Sequence, residues 1–224
     1  MSYKEHLYKN ALTEIEKIYT RSKYDPNEDL YRSYDIMNSV NDAQLNSKEW
    51  LAENLLPFLN NKKYLQDTDG NLNDILIMGS WYGITGIILK DYLNEDVKIH
   101  NVDFDPLCEE YCHLLMNGNE RCKNVWPITD DAIDYYLERP DAFQCIINTS
   151  CEHMEREDIQ MILVNKPFNT LVCFQSNNYH AEAEHINTQN SLEEFEKQLN
   201  LNQVYWKGEL KPSEEYTRYM VIGR

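Results

Sequence analysis

The segment "FQCIINTSCEHM", residues 143–154, ends an apolar run in a cluster of polar side chains that includes Asn148, Thr149, Ser150, Glu152 and His153. An imidazole beside a carboxylate can take a proton from a hydroxyl or amine as that group attacks an electrophile. His153, Glu152 and Asn148 are therefore the candidate catalytic residues. The competing role for His153 is a buried ring bonded to Glu152. A second polar set, Gln175, Asn177, Asn178, Tyr179, His180 and His185, follows the next apolar run in "FQSNNYHAEAEHIN". Amides and a phenol after a strand end suit recognition of a small polar substrate. Asn178 and Tyr179 are the candidate substrate contacts, set against a plain solvent loop.

The residues that would bring a cofactor to this chemistry lie earlier. In "ILIMGSWYGITG", residues 75–86, an apolar run leads into Gly79, Gly83 and Gly86. This reads as a buried strand turning tightly into a helix with bare backbone at the turn, where α/β proteins hold nucleotide-like cofactors. Asp103, in "IHNVDFDP", follows at about the 20-residue interval of nucleotide-binding units. An ionised carboxylate there accepts hydrogen bonds and donates none. Its bland alternative is a helix cap, which Asp105 before Pro106 fills better.

These groups need a frame. Residues 1 to about 70 lack strand-like runs and read as helical. Ala11, Ile15 and Ile18 form a core-facing stripe in "YKNALTEIEKIYT". A second helix is expected from an N-cap at Ser47, with Trp50, Leu51, Leu55 and Phe58 packing behind it and Pro57 distorting or ending it. "TDG", residues 68–70, marks a turn before the sheet. Strands are then expected at 75–78, 97–102, 124–128, 143–147 and 170–175. Helices are expected at 84–92, 106–117, near Asp130 and around 192–199. "QVYWKGEL" and "YTRYMVIG" follow with no helix between them, which makes an antiparallel hairpin. The layout is an α/β chain with a seven-stranded sheet whose last strand is reversed, divided into a helical extension or lid at 1–70 and a cofactor-binding domain at 71–224.

Composition narrows the partners. The 224-residue chain carries a formal charge of −17, whereas proteins that bind by neutralising phosphates present a basic face. This argues against long duplex DNA and favours a small molecule, a protein side chain or a free nucleotide. No apolar run reaches the roughly 18–20 residues of a membrane span, and "MSYKEHLYKN" lacks the apolar core of a signal peptide; a cytoplasmic protein is expected. Of six cysteines, Cys108, Cys112 and Cys122 lack the paired spacing of zinc ligands, and Cys145, Cys151 and Cys173 fall in or beside strands as structural thiols. No metal ligand is expected.

With this layout the chain resembles class I S-adenosylmethionine-dependent methyltransferases, whose Rossmann-like sheet ends in such a hairpin. Their first motif is a GxGxG loop after a strand carrying an acid. Here Gly79 and Gly83 keep the outer glycines, Trp81 stands at the middle one, and Ile77 stands where an acid is frequent. The resemblance implies cofactor contacts from Gly79, Ser80, Trp81 and Gly83, from Asp103 on both ribose hydroxyls, and from Asn148. It also implies that Asp130 or Asp131 in "ITDDA" reaches the adenine amino group, the other being an N-cap, with Ile128 against the ring. "EH" at Glu152–His153 resembles the segment after the fourth strand of many small-molecule methyltransferases, including quinone-type O-methyltransferases. Helices before the first strand often form a lid in such enzymes. Asn41, Gln44, Ser47 and Lys48 can then face the cofactor carboxylate or the substrate, against a solvated helical face.

The chain also looks like a group of small phage-encoded methyltransferase-like proteins, through "GSWYG", "NTSCEHM", "QSNNY…EHIN" followed by "SLEEF", "YTRYMVIG" and, further forward, "LNSKEWL". That likeness implies a host cytoplasm. The expected function is methyl transfer to oxygen or nitrogen of a small-molecule or protein acceptor. The alternative, prompted by Trp81 and Ile77, is an inactive S-adenosylmethionine-binding regulatory or interaction protein. A nicotinamide-dependent dehydrogenase is a distant third: its Tyr-x-x-x-Lys pair, Tyr19 and Lys23, precedes the loop, and the hairpin argues against it.

Overall fold

The strands at the centre of the sheet are apolar on both faces, so helices must cover both. The computed structural model describes residues 2–25, 30–61, 64 and 72–224. The turn expected at 68–70 and the domain boundary beside it lie outside the described residues. Helices α1 (Tyr3–Ser22), α2 (Tyr31–Ser39) and α3 (Asp42–Leu59) come first. The alternating body follows: β1 (Asp74–Met78), α4 (Ile84–Tyr92), β2 (Lys98–Asp103), α5 (Pro106–Met116), β3 (Val125–Thr129), α6 (Ala132–Leu137), β4 (Cys145–Asn148), α7 (Arg156–Asn165) and β5 (Leu171–Asn177). Helix α8 (Leu192–Leu199) and the strands β6 (Val204–Leu210) and β7 (Arg218–Gly223) complete it.

Among the described residues the sheet has seven strands in the order β3-β2-β1-β4-β5-β7-β6. The first five strands pair in parallel, while β7 runs antiparallel between β5 and β6. Strand order reverses between β1 and β4, the switch point at which open α/β sheets leave a crevice. One core joins Ile75, Ile77, Ile99 and Ile147 of the sheet to α1, α3, α4 and α5, so the amino-terminal helices share the core of the body. The other joins Leu76, Met78, Val102 and Val172 to α6, α7 and α8.

Several expected boundaries move for identifiable reasons. Helix α3 is capped by Asn41, whose side chain accepts the Gln44 amide at 2.9 Å; Ser47 lies inside the helix, 3% exposed. Pro57 stays within α3, which runs on to Leu59. The hydrogen bond it removes lies near the last turn, and Leu55 and Leu59 pack into the core regardless. Strand β5 extends to Asn177 because Ser176 and Asn177 pair with Tyr219 and Arg218 of β7. Ala11 and Ile18 are buried as the stripe predicts. All six cysteines are free and buried, and burial pushes the Cys112 thiol up to about 12 and that of Cys122 up to about 11.

Candidate active site

The loop after β1 alternates left-handed residues: Gly79 at φ +58°, Trp81 at φ +49° and Gly83 at φ +72°. Trp81 thus adopts the conformation that a glycine takes freely, at a cost of about 1 kcal/mol for an L residue. Three contacts offset that cost. Its N–H donates to Asp103 Oδ2 at 2.7 Å. Its ring stacks on Tyr82 with centroids 5.2 Å apart and 25° between planes. The Tyr82 hydroxyl in turn donates to Asp35 at 2.7 Å. Ser150 Oγ donates to the Gly79 carbonyl at 3.1 Å, tying the loop to the end of β4.

Asp103 closes β2. Its Oδ1 accepts the Asp105 amide at 3.2 Å, so the two protein bonds leave unused lone pairs on the carboxylate. Asp105 is the N-cap of α5, accepting the Leu107 amide at 2.9 Å, and takes Arg32 at 3.2 Å. Of the two acids after β3, Asp131 is the N-cap: its Oδ1 accepts from Ile133 and Asp134 at 2.8 and 3.1 Å. Asp130 accepts the Asp131 amide at 2.9 Å.

These elements surround a cavity of about 760 Å³, within the size range of small-molecule sites. Its wall includes Gly79, Ser80, Trp81, Asp103, Asp131, Glu152, His153 and Lys48. Gly83, Asp130, Asn148, Asn178 and Tyr179 are not on it. Gly83 acts through the space it leaves beneath α4. Asn148 is fully buried, where it accepts the Ser150 amide at 2.9 Å and donates to Met154 Sδ at 2.8 Å. It shapes the turn that presents Glu152. Asn178 accepts the Thr217 amide at 2.7 Å and so joins β5 to β7. Tyr179 packs on His185 and Tyr216. Ile128 packs against the second core, and Ala132 and Ile133 reach the cavity in its place.

Glu152 is 2% exposed. Its Oε1 accepts from Asn177 Nδ2 at 2.5 Å and lies 3.7 Å from the Arg218 guanidinium, while Oε2 has no hydrogen-bond partner. His153 is exposed on the wall, which goes against the competing reading of a buried ring, and sets its edge against His185 with centroids 4.6 Å apart. Arg218 was not among the residues singled out from the sequence. It stands on β7, donates to the Thr149 carbonyl at 3.2 Å and lines the cavity. The signal was a lone arginine opening the otherwise apolar strand "RYMVIG".

Lys48, on α3, donates to Gln44 at 2.6 Å. Burial first and the Arg218 charge second lower its pKa to about 7, with Glu152 opposing. The folded chain therefore binds fewer protons than the unfolded chain between about pH 7 and 10.5, so stability rises with pH across that window. Lys48→Met is expected to stabilise the fold by about 2 kcal/mol below pH 7, a gain that vanishes as pH approaches the free lysine value. Urea unfolding at several pH values reads this directly; equal gains at all pH values would show that Lys48 folds without a shifted pKa.

The strand order with β7 reversed between β5 and β6, and a cavity at the β1–β4 switch point, define the Rossmann-like class I methyltransferase fold. No family model matches the chain, and no curated protein matches its sequence. Solved structures do match its fold. A DszA carbon methyltransferase superimposes with TM-score 0.60 at 14% identity, covering 85% of this chain and 58% of that one. The present chain thus spans little more than half of that protein's length. The N-methyltransferase NodS from Bradyrhizobium japonicum WM9 matches with TM-score 0.56 at 10% identity, over 81% of this chain and 98% of that one. A geranyl diphosphate C-methyltransferase from Streptomyces coelicolor A3(2), in complex with Mg²⁺, geranyl diphosphate and S-adenosyl-L-homocysteine, gives TM-score 0.57 at 9% identity, over 81% and 82%. At such identities the likeness establishes the fold. Among the described residues no helix is long and apolar enough to cross a membrane.

Proposed function

We propose that the protein binds S-adenosylmethionine in this cavity and transfers a methyl group to oxygen or nitrogen of a small-molecule or protein acceptor. The observation that carries this reading is the meeting of loop residues 79–81, Asp103 and the Glu152–His153 turn around one cavity at the switch point. The residues fit the cofactor. Asp103 has lone pairs left for two ribose hydroxyls. At Gly79 an added Cβ would come within 3.1 Å of Ser150, so the glycine lets the end of β4 close onto the loop that lines the cavity. Asp131 lines the wall and Asp130 does not, so Asp131 is favoured for adenine although it is also the N-cap, against the expected division of the two roles between the acids. Lys48 and Arg218 offer charge to a carboxylate. Lys48, Ser47 and Gln44 bring α3 to the cavity edge, which supports the lid reading of the amino-terminal helices.

When bound, S-adenosylmethionine supplies an electrophilic methyl group. The chain's own task is to hold the acceptor in line, which contributes heavily to a displacement, and His153 is the side chain set to face it. The net charge of −17 argues against duplex nucleic acid as the acceptor, and the resemblance to phage-encoded proteins supports a reaction in a host cytoplasm. Calorimetric titration is expected to show micromolar binding of S-adenosylmethionine and of its demethylated product; no binding of either at millimolar concentration overturns the reading. His153→Ala is expected to lower turnover about a hundredfold with little change in cofactor affinity, and unchanged turnover would remove His153 from the chemistry. A second reading, an inactive cofactor-binding module, rests on Trp81 in the loop and on Ile77, which is buried in the core. Tight binding without demethylated product over a broad acceptor panel favours it.

A further inference from the structure

The acceptor end of the cavity carries a donor set that proton transfer alone does not require. A carboxylate oxygen of Glu152 and one ring nitrogen each of His153 and His185 lie within 4.8 Å of one another. Three further features prepare them as ligands. Glu152 keeps a buried Oε2 with no hydrogen-bond partner, although the residue is only 2% exposed and Arg218 lies 3.7 Å from its other oxygen; a bare carboxylate oxygen at such depth calls for a donor or a cation. Its other oxygen is fixed by Asn177 at 2.5 Å. His185 Nδ1 lies 2.6 Å from the Tyr179 carbonyl. That bond makes Nδ1 the protonated nitrogen and leaves the Nε2 lone pair exposed, as in metal-binding histidines.

The two segments are also pinned together. The Asn187 amide donates to the Glu152 carbonyl at 3.0 Å, and its side chain donates to the Cys151 carbonyl at 3.2 Å. Arg218 and Lys48 bring positive charge to this region, but Glu155, Asp158 and Glu184 line the same cavity and offset it. We propose that Glu152, His153 and His185 bind a divalent transition-metal ion of the zinc type at the acceptor end of the cavity. One carboxylate and two imidazoles suit Zn²⁺ and its neighbours and are poor ligands for Mg²⁺ or Ca²⁺. Three protein ligands leave a coordination position open. Resting on the methyl-transfer reading, that position assigns the acceptor to molecules whose hydroxyl or amine can coordinate a metal. His153 then serves as a ligand to the ion.

The test uses the full chain after treatment with a chelator. Titration with ZnCl₂ is expected to show one ion per chain at micromolar affinity or tighter, and CoCl₂ to give the visible bands of a four- or five-coordinate site. His185→Ala and Glu152→Gln are each expected to weaken Zn²⁺ binding by at least about tenfold, while His180→Ala on the same loop leaves it unchanged. Absence of stoichiometric uptake by the unaltered chain overturns the site, as does a His185→Ala protein that keeps full affinity. The unaltered chain's cobalt spectrum decides the matter should a variant fail to fold. Cofactor titration in chelator separates the two readings: S-adenosylmethionine binding without zinc uptake removes only the metal site. Zinc uptake without cofactor binding upholds the site and removes methyl transfer.

Discussion

Asp103→Ala is expected to weaken S-adenosylmethionine binding about a thousandfold, because charged hydrogen bonds contribute about 1.5–3 kcal/mol each and two ribose hydroxyls would be lost. The carboxylate has a second task in the free protein. Its Oδ2 holds the N–H of Trp81, the non-glycine residue at φ +49° in the loop. Removing it leaves that amide unpaired, so the variant should also lose about 1–2 kcal/mol of stability. Asp103→Asn separates the roles in part, since one amide oxygen can still accept from Trp81 while the nitrogen turns a donor toward both the ligand and the Asp105 amide. It should lose the Asp105 bond but keep the shorter Trp81 bond, so its stability should fall less than that of the alanine variant while its affinity falls as far. Calorimetry and urea unfolding on both variants read the two effects. An alanine variant binding within threefold of the parent would remove Asp103 from the cofactor site.

Gly83→Ala is expected to destabilise the fold by about 3–5 kcal/mol, combining left-handed strain with overpacking. Gly83 sits at φ +72°, and an added Cβ would lie 2.2 Å from Cys112 Sγ and 2.6 Å from Asn101 Nδ2. Both neighbours are 1% exposed and have no solvent to move into. Gly118 provides the comparison: it has φ +75°, yet its Cβ would meet only His6 Nε2 at 3.5 Å. Gly118→Ala should therefore show the backbone strain alone, about 1 kcal/mol. A Cys112→Ala background should recover part of the Gly83→Ala loss in a double-mutant cycle. Equal losses at Gly83 and Gly118 would show that packing beneath α4 yields easily.

The sequence made the sheet legible because its signals are local. Apolar runs at 75–78 and 143–147, the Asp105–Pro106 helix start and the paired terminal strands each follow from residue type and spacing. The glycine loop was legible as a turn, but Gly83 and Gly86 are also small for a different reason. Asn101 from β2 would meet a Cβ at either position, a contact across some fifteen residues that spacing does not reveal. The site was legible by segment and less so by residue. Asp103, Glu152, His153 and Lys48 reach the cavity, whereas Asn148 and Asn178 satisfy turn and strand-end amides. Side-chain amides after a strand can serve a ligand or the local backbone, and the choice is made by tertiary pairing. Arg218 stayed hidden because its neighbour Glu152 is distant in the chain and met only through β5 and β7.

The position of β7 has a consequence for how the molecule is made. β7 is synthesised after β5 and β6, yet it lies between them. On the ribosome the seven-residue edge of β5 stays unpaired until residues 218–223 emerge, and β6 has no native partner before then. Such an edge is open to wrong pairing with β6 or with another chain. The guanidinium beside Glu152 arrives with the same strand, so sheet closure and completion of the cavity become one event. Slow emergence of residues 218–223 would then be expected to favour aggregation through β5 over partial activity.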